Sequence, residues 1–175
     1  MIWAMGDSHA AHLQGLLYEL HEEYGFGVHL IATPGHLFPG GSEGEYPPRQ
    51  ILFNKVLDKL KPGDIVLVAR FYLTRTNPTE PHYDIPQWIN RVSSLAKELE
   101  KRGVTLIVTG PPPTFTFTDV RECDIAEREI CAIARAELVP PIETVMNQLH
   151  TLQSENTNLR VFDMFAQVCP PTAEF

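Results

Sequence analysis

The feature that most constrains the fold of this chain is the alternation of short apolar segments with longer segments of helical periodicity. Apolar segments predict β-strands at residues 2–5, 28–32, 65–71, 104–110 and 159–165. Between them, apolar residues recur at spacings of three and four, which is typical of amphipathic helices. We predict helices at residues 13–24, 51–60, 86–99, 125–138 and 142–153. Pro140 and Pro141 break or kink the chain between the last two. This alternation favours an open parallel sheet covered on both faces, so we predict a three-layer α/β (αβα) fold.

The charge and hydropathy of the chain argue against two classes of partner. Acidic residues outnumber basic ones by 22 to 14, and the net charge of −8 repels a phosphate backbone, so we expect no nucleic-acid partner. No segment approaches the roughly 20 apolar residues of a membrane-spanning helix. The first residues show no signal-peptide pattern. Because the first strand follows Met1 directly, we expect residues 1–175 to be a single domain cut from a longer protein.

Gly6, Asp7 and Ser8 stand where the first strand passes into the first helix, and Ser8 has two interpretations there. Serine is a common N-cap, whose hydroxyl accepts a hydrogen bond from a free N–H group of the first turn. Asp7 is also a capping residue, so only one of the two is needed. A serine at the end of a central strand is also placed to act as a nucleophile, provided that a base activates it.

Four segments resemble, in the right order, the SGNH (GDSL-like) hydrolase superfamily. They read MGDSHA, PGDIVLVARFYL, VTLIVTGPPPTF and VFDMFAQVCP. The His-Ala pair after Ser8 is similar to the SGNH domains fused to, or partnered with, membrane acyltransferases that O-acylate cell-surface polysaccharides. The resemblance implies an SGNH hydrolase fold with a flavodoxin-like, five-stranded parallel sheet in the order 2-1-3-4-5. It also implies an extracytoplasmic location at the cell envelope, and we expect no cofactor and no metal.

The resemblance also implies roles for residues at the ends of the strands. The nucleophile maps onto Ser8, whose backbone N–H is one donor of the oxyanion hole. A second donor is a glycine after the second strand, for which Gly35 is the best candidate, with Gly40 and Gly41 behind it. We expect Asp7 and His9 to shape the pocket beside the nucleophile.

The third donor in the family is an asparagine after the third strand, and this chain lacks it there. Either Arg70 donates instead, or Asn77 folds back, or the oxyanion hole is incomplete. Arg70 is otherwise a salt-bridge residue. We expect Ser8, the backbone of residues 33–41 and Arg70 to line one cleft, with Pro111–Pro113 at its rim.

The family's base comes from a late Asp-x-x-His motif, which this sequence does not contain. We therefore expect the catalytic Asp and His to lie outside these 175 residues. The first hypothesis for function is a serine O-acyltransferase or esterase acting on acyl, most simply acetyl, esters of carbohydrate hydroxyls. Its partners are then an acyl donor, a carbohydrate acceptor and a membrane acyltransferase domain. The second hypothesis is a non-catalytic carbohydrate-binding or docking domain that keeps the fold.

Several other side chains have a functional and a purely structural interpretation. Tyr72, Phe71 and Trp88 form a possible aromatic platform for a sugar, although Trp88 falls at core spacing in its helix. His9 and His12 share a helix face, but they lack the further ligands that a metal site needs.

The pair His82 and Asp84 is either an acid–base pair or a loop histidine bonded to the backbone. The cysteines, Cys123, Cys131 and Cys169, show no zinc spacing, and their disulfide state stays open.

Overall fold

The computed structural model describes residues 1–40, 47–74, 77–115 and 132–170, and the side chains of residues 47–50 are not among those described. Within these ranges the strands β1–β5 span Ile2–Gly6, Val28–Ala32, Ile65–Ala69, Thr105–Thr109 and Leu159–Phe162. The α-helices of the same described ranges, α1–α5, span Gln14–Tyr24, Pro47–Leu57, Ile85–Glu100, Arg135–Glu155 and Met164–Val168. A short 3₁₀ helix, Ser8–Leu13, joins β1 to α1.

The described strands form one parallel sheet in the order β2-β1-β3-β4-β5, as predicted. The last residues of three strands are in register, since Gly6 of β1 lies opposite Ala32 of β2 and Ala69 of β3. The carboxyl ends of these three strands therefore meet at one edge. Open parallel sheets bind ligands at that edge.

The two faces of the sheet bury separate apolar cores. Alternate side chains of a strand point to opposite faces. Trp3 and Met5 of β1 pack into the larger core with α3 and α4, whereas Ile2 and Ala4 pack into the smaller core under α1. The predicted three-layer αβα arrangement is thus confirmed.

Three local predictions differ from the structure. In α2, Ile51 and Leu52 are exposed while Val56 is buried, because the helix packs through its second half. Helix α4 runs through Pro140 and Pro141 without a break. Both prolines fall within its first two turns, so the long buried face beyond them is intact. Phe165 belongs to α5 rather than to the last strand.

Residues 125–131, half of the predicted helix at 125–138, lie outside the described residues, and residues 135–138 form the start of α4. Among those that are described, no helix has both the length and the hydropathy to cross a membrane.

Candidate active site

Ser8 lies at the end of β1, at the edge where β1, β2 and β3 finish together. The loop after β2 begins beside it, because the Thr33 N–H donates to the Gly6 carbonyl at 2.9 Å. Pro111–Pro113 follow β4 in a segment without helix or strand. The structure therefore brings the ends of the central strands together as the sequence predicts.

Gly6 lets β1 approach its neighbours more closely than any other residue would allow. A Cβ atom at this position would lie 2.0 Å from the Ala69 carbonyl oxygen and 2.9 Å from Cβ of Ala10. The first contact involves backbone and cannot be relieved by a side-chain rotation. The glycine of the Gly-Asp-Ser motif is thus required by packing, and it sets the position of the next two residues.

Asp7, and not Ser8, caps the short helix. One carboxylate oxygen of Asp7 accepts the His9 N–H at 2.8 Å, and the other accepts the Phe71 N–H at 2.9 Å. Burial alone would raise the pKa of Asp7, but the hydrogen bonds from His9 and Phe71 outweigh it and hold that pKa below its ordinary value. The carboxylate therefore stays ionised and ties the end of β1 to the end of β3.

The Ser8 hydroxyl is left without a structural task. Ser8 is half-buried, and its hydroxyl makes no hydrogen bond to any residue that the structure describes. The N-cap interpretation of this side chain is wrong, because Asp7 performs that role. A hydroxyl at the carboxyl edge of a parallel sheet that does not serve the fold is available to a substrate.

His9 stands next to Ser8 and is held between a carboxylate and an aromatic ring. Its Nδ1 lies 3.3 Å from an Asp7 oxygen but out of line for a good hydrogen bond. Its ring stacks on Phe71 with centroids 4.8 Å apart, and the His12 ring is 5.0 Å away. Asp7 and His9 thus contact each other beside Ser8, and their role in shaping a pocket stays a prediction.

Gly35 lies in the turn that follows β2. Its φ of +76° falls in the left-handed region that favours glycine, and the His36 N–H closes the turn on the Thr33 carbonyl at 3.1 Å. Open space surrounds the position. Its role as an oxyanion donor stays a prediction, and the reserve candidate Gly41 lies outside the described residues.

Arg70 does not line a cleft with Ser8, so this expectation was wrong. Its side chain is only 1% exposed, because it points into the larger core under α3. Nε donates to the Phe71 carbonyl at 2.8 Å, and Nη2 donates to Asp84 at 2.7 Å. The guanidinium also lies over the Trp88 ring, 4.9 Å from its centroid. The alternative interpretation, a salt-bridge residue, is the one observed.

Tyr72 and Trp88 are not a sugar platform, because both are buried. The Tyr72 hydroxyl donates to the Thr109 carbonyl at 2.5 Å, and burial raises the pKa of this phenol far above its ordinary value. Nε1 of Trp88 donates to the Phe38 carbonyl at 2.9 Å. These bonds hold both side chains inside the core, and neither offers a surface to a ligand.

Asn77 does not fold back toward the nucleophile either. Its side-chain oxygen accepts from the Thr79 N–H at 3.3 Å and from the Thr79 hydroxyl at 2.5 Å. Its amide nitrogen donates to Glu80 at 3.4 Å. The side chain is exposed and engaged within its own turn, which is the ordinary behaviour of asparagine in loops.

A family model matches nearly the whole length of the chain. The model of the SGNH domain fused to AT3 domains matches residues 2–174. The chain belongs to this family. No curated protein and no solved structure gave a match. The resemblance of the strand-end motifs is thereby confirmed, and the sheet is that of an SGNH domain associated with acyltransferases.

The SGNH domain contains a second arrangement of polar side chains that the sequence left open. Nδ1 of His82 lies 2.7 Å from the same Asp84 oxygen that accepts from Arg70. Burial alone would raise the pKa of Asp84, but the bonds and charge of Arg70, with the bond of His82, hold that pKa below its ordinary value. The sequence signal was the short spacing of His82 and Asp84, whereas the link to Arg70 depends on the fold.

In the SGNH domain, the described residues contain no group of three or more His, Cys, Asp and Glu side chains that could hold a metal ion. The Cys169 thiol is half-buried against the larger core and forms no disulfide with a described residue. Cys123 and Cys131 lie outside those residues, so the question of their pairing stays open.

Proposed function

We propose that this SGNH domain uses Ser8 as the nucleophile of an O-acyltransferase or esterase that acts on acyl esters of carbohydrate hydroxyls, with acetyl as the acyl group. The observation that carries the proposal is the Ser8 hydroxyl, half-buried at the carboxyl edge of the sheet and relieved of its capping role by Asp7. The family match supports it, because SGNH domains of this family are fused to AT3 acyltransferase domains.

The chemistry takes two steps. The Ser8 oxygen attacks the acyl carbon of a donor, its proton passes to a base, and the donor's alcohol leaves. The hydroxyl of a sugar, or water, then attacks the acyl-Ser8 ester and releases the product. The backbone N–H groups of Ser8 and Gly35 are the donors we assign to the oxyanion in both steps.

The base that activates Ser8 comes, in this proposal, from an Asp-x-x-His motif outside the 175 residues. The acyl donor reaches the domain through the AT3 acyltransferase domain on the extracytoplasmic side of the membrane. The family match supports the association with an acyltransferase, and the location follows from the substrate that we propose.

The proposal is tested by labelling and turnover with matched serine variants. The full gene product reacts with a fluorophosphonate probe and hydrolyses p-nitrophenyl acetate. Ser8→Ala abolishes the labelling and lowers turnover by up to ~10⁶-fold, since the nucleophile is lost. Ser94→Ala is the control, because the exposed Ser94 hydroxyl only bonds to the Asn90 carbonyl within helix α3. Full activity of Ser8→Ala contradicts the nucleophile assignment.

One observation favours the alternative, a non-catalytic carbohydrate-binding or docking domain. No histidine that the structure describes is hydrogen-bonded to the Ser8 hydroxyl, and Arg70 is committed to Asp84. This alternative predicts binding of polysaccharide without labelling at Ser8. Isothermal titration with acceptor oligosaccharides, run beside the probe experiment, distinguishes the two functions.

A further inference from the structure

A groove between helices α2 and α3 lies outside the site described above. Its cavity has a volume of about 420 Å³, within the roughly 300–1,000 Å³ of clefts that bind small ligands. We call it the α2–α3 groove. The residues that line it include three apolar ones, Pro39, Phe53 and Leu95, and three polar ones, Asn90, Arg91 and Glu98.

Arg91 is half-buried in this groove and has no polar partner. Its Nε is shielded from solvent without a hydrogen bond, and its side chain forms no ion pair with any residue that the structure describes. A buried donor without an acceptor is unfavourable, so an oxygen atom of a ligand gains by accepting from it. The other arginine side chains within the described ranges each donate to a carbonyl or carboxylate oxygen: Arg70, Arg102, Arg135 and Arg160.

The carboxylate of Glu98, which also lines the groove, already has its own cations. One of its oxygens lies 3.0 Å from Nη2 of Arg102, and the other lies 3.6 Å from Nζ of Lys101. The charge of Arg91 is therefore left without a counter-ion among the described residues. A guanidinium presents its N–H groups as a planar fork that matches the two oxygens of a carboxylate. The groove thus favours an anionic ligand.

The apolar residues of the groove favour a ligand that is more than a simple anion. The Phe53 ring packs edge-on against the buried Phe38 ring, with centroids 4.9 Å apart, so its position is fixed from below. A pyranose ring has a face of C–H groups that packs against such a surface, and the Asn90 amide offers both donors and acceptors to sugar hydroxyls. A sugar that carries a carboxylate uses both features of the groove.

We propose that the α2–α3 groove binds a carboxylate-bearing sugar of the acceptor polysaccharide, with the carboxylate on Arg91 and the sugar ring against Phe53. The inference rests on the proposed function, which supplies a carbohydrate acceptor, and it adds that this acceptor is acidic. The net charge of −8 opposes any general attraction of an acidic polymer. Binding therefore depends on the local charge of Arg91.

The loop after β2 connects the groove with the edge of the sheet. It begins at Thr33, whose N–H donates to the Gly6 carbonyl at 2.9 Å, and it reaches the groove at Pro39. Six residues of extended chain span at most about 20 Å, which limits the distance from Thr33 to Pro39. An oligosaccharide covers such a distance, so one sugar of the acceptor can occupy the groove while another approaches the edge of the sheet.

The experiment is isothermal titration of the full gene product with two matched trisaccharides. One is α-1,4-linked trigalacturonate, and the other is α-1,4-linked galactotriose, in which a hydroxymethyl group replaces each carboxylate. We expect the wild type to bind trigalacturonate about 10–100-fold more tightly than galactotriose, the equivalent of one or two charge-assisted hydrogen bonds. Arg91→Gln should bind both trisaccharides equally weakly.

Three further variants separate the groove from general electrostatics. Lys97→Gln is the matched control, because it removes one positive charge from the exposed surface of the same helix and should leave the affinity for trigalacturonate unchanged. Arg91→Lys keeps the charge without the fork and should bind with intermediate affinity. Phe53→Leu should weaken the binding of both trisaccharides about 3–10-fold. Thermal unfolding checks that each variant is folded, and Arg91→Gln breaks no bond to a described residue.

Four results overturn the inference. They are an absence of trigalacturonate binding, equal affinity of the wild type for the two trisaccharides, unchanged affinity in Arg91→Gln, and binding of inorganic phosphate as tight as that of trigalacturonate. Each overturns it even when the fluorophosphonate probe labels Ser8, and the last leaves the groove as a simple anion site. If Ser8 is not labelled but binding still depends on Arg91, the catalytic proposal fails and the groove keeps its carbohydrate ligand.

Discussion

At the scale of single residues, the Gly-Asp-Ser motif divides three tasks among three neighbours. Gly6 permits the close approach of β1 and β3, and Asp7 caps the next helix and ties the two strands together. The Ser8 hydroxyl is thereby free of any hydrogen bond to the described residues. The motif was readable from the sequence, but the assignment of the cap to Asp7 required the contact with Phe71, which lies 64 residues away along the chain.

The packing role of Gly6 predicts opposite effects for two glycine substitutions. Gly6→Ala brings a Cβ against the Ala69 carbonyl and Ala10, so we expect a loss of about 3 kcal/mol or more in unfolding free energy. Gly15→Ala in helix α1 meets nothing within 4 Å and should stabilise by about 0.5–1 kcal/mol. Urea unfolding of both variants measures the difference. Equal stability of the two would contradict the close approach at Gly6.

The ionised Asp7 predicts a pH-dependent loss of stability. Its folded pKa lies below the ordinary value of 3.8, so its contribution is complete above that pH and is lost as the pH falls through 3.8 toward the lower folded value. We expect Asp7→Asn to lower the unfolding free energy by about 1–3 kcal/mol at neutral pH. The gap to wild type should narrow at about pH 3. Exposed Asp58→Asn serves as the control, and a gap that does not change with pH would count against this account.

At the scale of the elements, the strands were predictable because their short apolar segments lack the spacing of an amphipathic helix. The central strand β3 reads IVLVA, and it is β3 that the sheet buries between β1 and β4. Helix α3 was also predictable, since its buried residues recur at helical spacing from Trp88 to Leu99. The direction of the Arg70 side chain was not predictable, because a charged residue at the end of a strand gives no sign of which face of the sheet its side chain will enter. Only the packing of α3 and the position of Asp84 decide that.

The connection between the end of β3 and the start of α3 depends on the buried ion pair of Arg70 and Asp84. We expect Arg70→Met to lower the unfolding free energy by about 3–5 kcal/mol, because it leaves the Asp84 carboxylate without its cation. Exposed Lys101→Met, at the C-cap of the same helix, should change the unfolding free energy by less than about 0.5 kcal/mol. Thermal unfolding followed by circular dichroism tests both variants. An unchanged unfolding free energy in Arg70→Met would show that the ion pair does not stabilise the connection between β3 and α3.

At the scale of the whole molecule, the four motifs that resemble the SGNH superfamily predicted both the strand order and the family. The observed sheet confirms the strand order. The family match over residues 2–174 confirms the family. The sequence predicted less of the candidate site than of the fold, because the oxyanion donors and the base depend on side chains that no local pattern specifies. Arg70, Tyr72 and Asn77 had the right positions along the chain but are committed to other partners. Ser8, Asp7 and His9 remain together at the edge of the sheet.

The central claim is that Ser8 carries the acyl group, and rapid-quench mass spectrometry tests it most directly. The full gene product is mixed with an activated acetyl ester, quenched in acid and digested. The account predicts a mass increase of one acetyl group on the peptide that contains Ser8, absent from Ser8→Ala and retained in Ser94→Ala. An acetyl group on another residue, with Ser8 unmodified and turnover intact, would contradict it.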